Sequence, residues 1–308
     1  MHIYIGSSGL LHNTGSGHPE CIERLATLQE LFQTKEFEDI IQIEAIQAET
    51  KWLKRVHPIE YIHDLQDSTP DTGLINLDGD TVMCPDSYDA ALQAAGAACQ
   101  AVGDVMSGKT DKAFCAVRPP GHHAEPAQTM GFCMFNNIAI AALHAQAEYA
   151  ARRVAIIDFD VHHGNGSDTV ARQHDGIFYA STHQWPLFPG TGSMDSNIEG
   201  RTLNITLDEG TASMPFRRAY TDRIIPALNE FAPDLVMISA GFDAHKDDPI
   251  GGLNLDEDDF VWITNELMKV AATHCQGKIV SVLEGGYNLK ALSHCVSAHV
   301  KTLAGKPL

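Results

Sequence analysis

Short, continuously apolar segments alternate with longer helical stretches along this chain, and that alternation constrains its fold more than any other feature. The apolar segments lack a period of two, which is typical of strands buried on both faces of a parallel sheet. Strands are predicted at residues 2–5, 113–117, 154–159, 177–180, 203–207, 235–239 and 278–283, and helices at 86–106, 136–151, 214–231 and 256–275. The pattern predicts an α/β fold with three layers, α/β/α, around a mostly parallel central sheet of about eight strands.

The composition fits one globular unit. The chain has 308 residues, of which 44% are hydrophobic and 20% charged. No internal repeat, low-complexity tract or Pro/Gly/Ser linker separates two cores, so we expect residues 1–308 to form a single domain.

Charge and cysteine content exclude several classes of partner. Lys and Arg number 21 against 40 Asp and Glu, a formal charge of −19, which argues against a nucleic-acid partner. The seven cysteines form no CxxC pair, which argues against a disulfide framework or a cysteine-zinc module. We find no secretory signal and no apolar run approaching the roughly 18–20 residues that span a bilayer, so we expect a cytoplasmic location and no membrane partner.

Polar residues of catalytic types follow the predicted strands. In open parallel sheets, ligands bind beyond the carboxyl ends of the strands. The segments that follow strands here are 118–123 (RPPGHH), 158–166 (DFDVHHGNG), 181–182 (ST), 240–249 (AGFDAHKDDP) and 284–287 (EGGY). Metal-ligand side chains and a tyrosine are therefore expected at one edge of the sheet.

Three of these residues are suited to hold a metal ion. Asp158, Asp160 and His162 are spaced two apart, so their side chains share a face while the chain stays extended. Asp160 and His162, joined by Asp243, would supply three protein ligands and leave a fourth position open, as in catalytic metal sites. This ligand set suits zinc but would also hold Fe(II), Co(II) or Mn(II).

Histidine and tyrosine side chains near such a metal suggest acid–base chemistry. The adjacent His122 and His123 are candidates for proton transfer, with Asp158 accepting a hydrogen bond from one imidazole and Asn165 from the other. Tyr287 follows two glycines and is a candidate donor to a developing oxyanion.

In these motifs the sequence resembles the histone deacetylase superfamily, most closely its class II-like and bacterial amidohydrolase branch. The resemblance runs through His18-Pro-Glu20 and Arg24, then 119–123, 131–137, 158–166, 188–192, 239–249 and 283–287, in the family's order. It implies an arginase-like α/β fold and a zinc-dependent amidohydrolase.

The resemblance also implies a role for each catalytic residue. One zinc ion per chain would be bound by Asp160, His162 and Asp243. His123 would take a proton from the attacking water and return it to the leaving amine, while Tyr287 polarises the scissile carbonyl. The products would be acetate and a free amine.

Further positions follow from the same likeness. His122, paired with Asp158, would stabilise charge, and Arg24 would lie near an internal channel for released acetate. A potassium ion beside the zinc would be held, mostly through backbone carbonyls, by Asp158, Asp160, His162, Ser181 and Thr182. The narrow tunnel for the substrate's aliphatic stem would involve Gly131, Phe132, Phe188, Gly285 and Gly286.

Two positions distinguish branches of this family. Asn165 stands where class I enzymes carry Asp, so His123 would have a neutral partner and a less elevated pKa, as class II-like members do. Tyr287 is present where one vertebrate subgroup of low activity carries His. We therefore expect a working catalyst.

The substrate is an acylated amine whose identity the sequence leaves open, since acetyl-lysine in proteins, acetylated polyamines and other small acylated amines share the same stem. The charge of −19 favours cationic substrates. Ile250 stands where polyamine-selective relatives place a glutamate, which disfavours polyamines. Acyl-chain length and oligomeric state also stay open.

Other readings are weaker. Residues 103–110 fit the phosphate-binding pattern GxxxxGK[ST], but a predicted helix precedes them and a strand follows, the reverse of what that loop requires. A binuclear manganese hydrolase of the arginase type would need more bridging carboxylates than this edge of the sheet offers. A catalytically silent module that binds acylated amines is disfavoured by His123 and Tyr287. No GxSxG motif supports a serine hydrolase.

Overall fold

Eight parallel strands form one central sheet in the computed structural model, which describes all of residues 1–308. The strands of the chain are β1 (His2–Ile5), β2 (Ile41–Glu44), β3 (Ile75–Asn76), β4 (Val82–Met83), β5 (Lys112–Ala116), β6 (Val154–Asp158), β7 (Ile177–Gln184), β8 (Thr202–Leu207), β9 (Leu235–Ala240) and β10 (Ile279–Leu283). The spatial order in the main sheet is β2-β1-β5-β10-β9-β6-β7-β8, while β3 and β4 form a separate antiparallel pair.

Ten α-helices connect these strands. They are α1 (Ile22–Phe32), α2 (Thr50–Leu53), α3 (Ile59–Asp67), α4 (Ser87–Met106), α5 (Asn137–Tyr149), α6 (Asn165–Gln173), α7 (Ser213–Ala219), α8 (Ile225–Phe231), α9 (Glu257–His274) and α10 (Leu289–Ala304). Short 3₁₀ turns lie at Ser7–Leu10, Lys35–Phe37 and Met194–Ser196, and a π-helical turn, Tyr220–Ile224, joins α7 to α8. No helix combines the length and apolar character that crossing a membrane requires.

Both faces of the sheet are covered, which is why its strands are continuously apolar. Successive residues of β5 point to opposite sides: Phe114 lies in an apolar core with side chains of α1, α9 and α10, and Cys115 lies in a second core with α4 and α5. The three-layer α/β/α fold predicted from the sequence is confirmed, and the main sheet is wholly parallel.

Some elements differ from the prediction. β7 runs on to Gln184, because residues 181–184 pair in register with Asn204–Leu207 of β8. The helix predicted at 214–231 is interrupted by the π-helical turn, and α1, α2, α3, α6 and α10 were not predicted.

The segment that fits a phosphate-binding loop has the wrong surroundings. α4 ends at Met106, Gly108 adopts a positive φ of 77° just after it, and β5 begins at Lys112. The helix therefore precedes the turn and its amino end points away from the segment, which excludes a phosphate loop of that type.

Candidate active site

Neighbouring strands deliver the predicted site residues to one edge of the sheet. Asp160 and His162 follow β6, Asp243 follows β9, Tyr287 follows β10, and His123 follows β5. Because β5, β10, β9 and β6 are consecutive neighbours in a parallel sheet, the turns after them meet at the carboxyl edge.

The candidate metal ligands converge. Nδ1 of His162 lies 3.1 Å from Oδ1 of Asp160 and 3.1 Å from Oδ2 of Asp243. Ligand atoms about 2.1 Å from a shared tetrahedral ion would stand about 3.4 Å apart, so this spacing fits a zinc-sized ion. The chain has one such group of three or more metal-ligating side chains, with ligand atoms within 4.8 Å of one another.

Backbone amides hold the two carboxylates in place. Gly285 N donates to Oδ2 of Asp160 at 2.9 Å, and Val161 N donates to Oδ1 of Asp243 at 2.9 Å. A Cβ at Gly285 would lie 2.1 Å from Oδ2 of Asp243, so only glycine allows this approach. Gly285 therefore lies behind the candidate ligands, and neither it nor Gly286 lines the cavity described below.

The carboxylates carry strongly perturbed pKa values. Burial opposes ionisation of Asp160, but the imidazoles of His122 and His162 outweigh it and hold the pKa well below its usual range. Burial and the charge of Asp160 raise the pKa of Asp243 to about 7. Two buried carboxylates at one point repel each other, and a cation bound between them would relieve that repulsion.

His122 is tied to a carboxylate. Its Nδ1 donates to Oδ2 of Asp158 at 2.9 Å, and the hydroxyl of Tyr179 donates to the same oxygen at 3.0 Å. Burial lowers the pKa of His122, but Asp158 and Asp160 outweigh it and raise the pKa to about 10. The arrangement favours a positive charge on His122.

His123 has a neutral partner. Its Nδ1 lies 2.9 Å from Oδ1 of Asn165, the pairing suggested by the sequence. Burial and the neighbouring imidazoles of His122 and His162 hold the pKa of His123 well below its ordinary value. The imidazole of His123 is therefore neutral near pH 7.

These groups open into one narrow cavity of about 220 Å³. It is lined by Asp80, His123, Gly131, Phe132, His162, Phe188, Ile250 and Tyr287. Phe188 packs edge-on to His123 with ring centroids 5.1 Å apart, and Phe132 packs edge-on to Tyr287 at 5.9 Å. An acid–base imidazole, a candidate metal ligand, a phenol and two aromatic walls thus face the same space.

Tyr287 is braced from behind by Arg24. The guanidinium of Arg24 lies 4.9 Å from the centre of the Tyr287 ring and donates to the carbonyl of Gly286 at 2.7 Å and to Oε1 of Glu20 at 3.0 Å. Burial raises the pKa of the Tyr287 phenol well above its ordinary value, with the carboxylates of Asp243 and Asp160 adding to the shift. The hydroxyl is therefore a hydrogen-bond donor near neutral pH.

Two acidic residues near the site were missed in the sequence. Asp80 lines the cavity and accepts a hydrogen bond from Gly131 N at 3.1 Å. Glu284, fully buried, accepts from the backbone amides of Gly121 at 2.7 Å and His122 at 3.1 Å, and so anchors the turn that carries both histidines. Glu284 could have been identified from the sequence, because it is a charged residue directly after an apolar strand. No local sequence pattern identifies Asp80.

The residues suggested for potassium are also clustered. Asp158 is paired in register with Ser181 of β7, while Oγ of Ser181 lies 2.9 Å from Nδ1 of His183 and Oγ1 of Thr182 lies 3.1 Å from the Tyr220 hydroxyl. The side-chain hydroxyls are thus already engaged, and potassium binding stays a prediction.

The three-layer α/β/α fold and the residues at its carboxyl edge define the class of an enzyme with a candidate metal centre, and comparison with known proteins gives its family. Residues 18–303 match the family model of the histone deacetylase domain. The chain belongs to the histone deacetylase family.

Its relatives agree with that assignment. The chain is 36% identical to "Histone deacetylase 14, chloroplastic" of Arabidopsis thaliana, over 99% of this chain and 77% of the relative. It is 35% identical to the "Histone deacetylase-like amidohydrolase" of Pseudomonas aeruginosa, over 94% of this chain and 78% of the relative. The crystal structure of the HDA15 HD domain superposes with a TM-score of 0.93 at 34% identity and covers 99% of this chain and 88% of that one. Since the plant relative is named chloroplastic, the cytoplasmic location stays a prediction.

Proposed function

We propose that this chain is a zinc-dependent deacetylase that hydrolyses the amide bond of an acylated amine such as acetyl-lysine. The observation that carries the proposal is the shared cavity, into which His162 of the metal-ligand group, His123 and Tyr287 all open. The family membership supports hydrolysis of this kind, and the roles below are proposed for the residues of this chain.

Asp160, His162 and Asp243 would hold the zinc ion. Zinc bound there would supply Lewis-acid polarisation of the amide carbonyl and activation of water. The spacing of the ligand atoms and the repulsion between two buried carboxylates support a cation at this point. The predicted potassium site at Ser181 and Thr182 rests on the family resemblance alone.

His123 moves the proton. With Nδ1 hydrogen-bonded to Asn165, its Nε2 is left to take a proton from the attacking water and to return it to the nitrogen of the leaving amine. The His122–Asp158 pair places a positive charge beside His123, since the two imidazole rings have centroids only 4.0 Å apart. That charge would stabilise the negative charge that develops on the attacked carbonyl.

Tyr287 would donate its hydroxyl hydrogen to the same oxyanion. Its ring is fixed between Arg24 and Phe132, so the hydroxyl is directed with little freedom to reorient. A preorganised donor of this kind stabilises the transition state more than the ground state.

The cavity wall favours acyl-lysine as the substrate. Phe132 and Phe188 offer aromatic surfaces to an aliphatic stem, and Ile250 adds an apolar side chain at the position where the family resemblance places the glutamate of polyamine-selective relatives. A second candidate substrate is an acetylpolyamine, and the observation that favours it is Asp80, the one carboxylate among the lining residues.

A substrate panel tests the proposal. The zinc-loaded enzyme is assayed on acetyl-lysine peptides, longer acyl-lysines and acetylpolyamines, with and without a chelator. We expect hydrolysis of at least one acyl-lysine substrate that the chelator abolishes. If only acetylpolyamines turn over, and Asp80→Asn removes that turnover, the second candidate is correct. Absence of turnover on every acylated amine would refute the proposal.

A further inference from the structure

Glu125 lies beside His123 and Asn165, and it takes no part in the proton transfer proposed above. It follows His123 by two residues, is half-buried, and starts a tight turn in which its backbone N–H donates to the carbonyl of Gln128 at 3.0 Å. Its Oε1 accepts a hydrogen bond from Nδ2 of Asn165 at 2.6 Å. The side chain of Glu125 is thereby hydrogen-bonded to Asn165, the first residue of α6.

The hydrogen bonds of Asn165 define which way its amide faces. Nδ2 lies 3.1 Å from the carbonyl oxygen of His123 and 2.6 Å from the Glu125 carboxylate, and both of these partners only accept hydrogen bonds. A flipped amide would set its carbonyl oxygen against two acceptors. Oδ1 is therefore the atom that faces Nδ1 of His123, at 2.9 Å.

This orientation decides the tautomer of His123. An amide oxygen only accepts, so Nδ1 must carry the hydrogen when the imidazole is neutral. The lone pair is then on Nε2, the nitrogen that the proposed mechanism uses as the base. If the amide were flipped, its N–H would favour the other tautomer, and Nε2 would carry a hydrogen instead of the lone pair.

We propose that Glu125 is a positioning residue that locks the Asn165 amide and thereby holds His123 in the tautomer with a free Nε2. The inference rests on the deacetylase function proposed above. A neutral amide at position 165 does not define the tautomer by itself, since it can face His123 with either end. The carboxylate of Glu125 supplies the acceptor, beyond the backbone carbonyl of His123, that makes one end preferred.

Three single variants and one double variant test the proposal. Glu125→Leu removes the acceptor, and we expect kcat to fall about tenfold with KM little changed, since only the base is affected. Glu125→Gln keeps an oxygen acceptor, and we expect a loss of less than about threefold. Asn165→Asp sets a second carboxylate oxygen against Glu125 and the carbonyl of His123, and we expect kcat to fall by about 100-fold.

The decisive variant is the double change Glu125→Gln with Asn165→Asp. The glutamine side chain now donates an N–H to the introduced carboxylate, so we expect kcat at least about tenfold above that of Asn165→Asp alone. Glu125→Gln therefore lowers activity slightly in the native chain and raises it strongly beside the introduced carboxylate. Gln173→Leu is the matched control, because Gln173 is exposed and lines the same surface groove as Glu125 and Asn165.

A direct observation of the tautomer completes the test. Long-range ¹H–¹⁵N spectra of the zinc-loaded protein distinguish the two neutral imidazole forms, and the His123 signals are assigned by their loss in His123→Asn. We expect hydrogen on Nδ1 in the native chain and in Glu125→Gln, and a mixture of forms in Glu125→Leu. Thermal unfolding and zinc content show that each variant is folded and loaded.

The outcomes separate this inference from the proposed function. If the native enzyme hydrolyses no acylated amine, the function fails. The positioning role is refuted, and the function stands, if the native enzyme is active and three results are found together. Glu125→Leu has the same kcat as Gln173→Leu, His123 keeps its native tautomer in Glu125→Leu, and Glu125→Gln does not restore the activity of Asn165→Asp.

Discussion

A single methyl group added at Gly131 should displace the catalytic base. Gly131 adopts a positive φ of 57° in the wall of the cavity, and a Cβ built there would lie 2.3 Å from Cδ2 of His123 and 3.0 Å from Cε1 of Phe188. Ordinary carbon contacts begin at 3.4 Å, so the His123 ring would have to move by roughly 1 Å. Asn165 is hydrogen-bonded to the ring and Phe188 packs against it, so the movement must disturb that hydrogen bond or that packing.

The size of the effect follows from that displacement. Misplacing a reacting group by about 1 Å costs about 100-fold in rate, equivalent to about 2.7 kcal/mol in the activation barrier. The left-handed backbone adds a separate cost of about 1–2 kcal/mol to folding, which does not depend on the neighbours. The rate and the stability of Gly131→Ala should therefore both fall.

Gly277→Ala is the matched control. Gly277 adopts a φ of 80°, and a Cβ there would meet nothing within 4 Å. This variant carries the same backbone strain with no contact to the site, so it should lose stability and keep its kcat. Steady-state kinetics on an acetyl-lysine peptide, with thermal unfolding of both variants, makes the comparison. If Gly131→Ala keeps a kcat within about twofold of Gly277→Ala, His123 is not the base or its position is not critical.

Two further predictions concern the phenol and a buried histidine. Tyr287→Phe keeps the ring against Arg24 but removes the donor, so kcat should fall about 100- to 1000-fold in steady-state assays, and a loss below about tenfold would contradict the oxyanion role. His299 is fully buried between the hydroxyls of Thr264 and Ser281, and burial lowers its pKa from the ordinary 6.5 to about 3. Below pH 6.5 His299 binds a proton in the unfolded chain but stays neutral in the folded chain. Lowering the pH from about 7.5 to 4.5 therefore reduces the free energy of unfolding by about 2–3 kcal/mol through this residue. Chemical unfolding at both pH values should show that the stability advantage of the native chain over His299→Gln shrinks by that amount, and a constant difference would contradict the burial effect.

The layer architecture and the catalytic edge could be predicted from the sequence. Buried parallel strands read as continuous apolar runs, and the rule that ligands bind beyond their carboxyl ends directs attention to Asp160, His162 and Asp243. The spacing of two between Asp160 and His162 then predicts side chains on one face. These are local patterns, so a single sequence displays them.

The rest depends on contacts between distant segments. Asp80 lies in the turn between two strands of two residues each, and only the folded chain shows that this turn reaches the cavity. Gly285 was predicted at the substrate tunnel, but its amide instead orients a ligand carboxylate, a contact with residue 160 that no local pattern indicates. The buried face of α10 carries the polar His299, whose imidazole is hydrogen-bonded to two hydroxyls. A polar residue on that face weakens the apolar periodicity from which the helix could have been predicted.

Metal analysis of the native chain beside Asp243→Ala addresses the catalytic cation most directly. We expect the native chain to hold one zinc ion, to lose hydrolysis on chelation and to regain it when zinc is returned. Asp243→Ala should stay folded by circular dichroism and hold no stoichiometric zinc. Two ions per native chain, hydrolysis that a chelator leaves untouched, or stoichiometric zinc retained by Asp243→Ala would contradict this assignment.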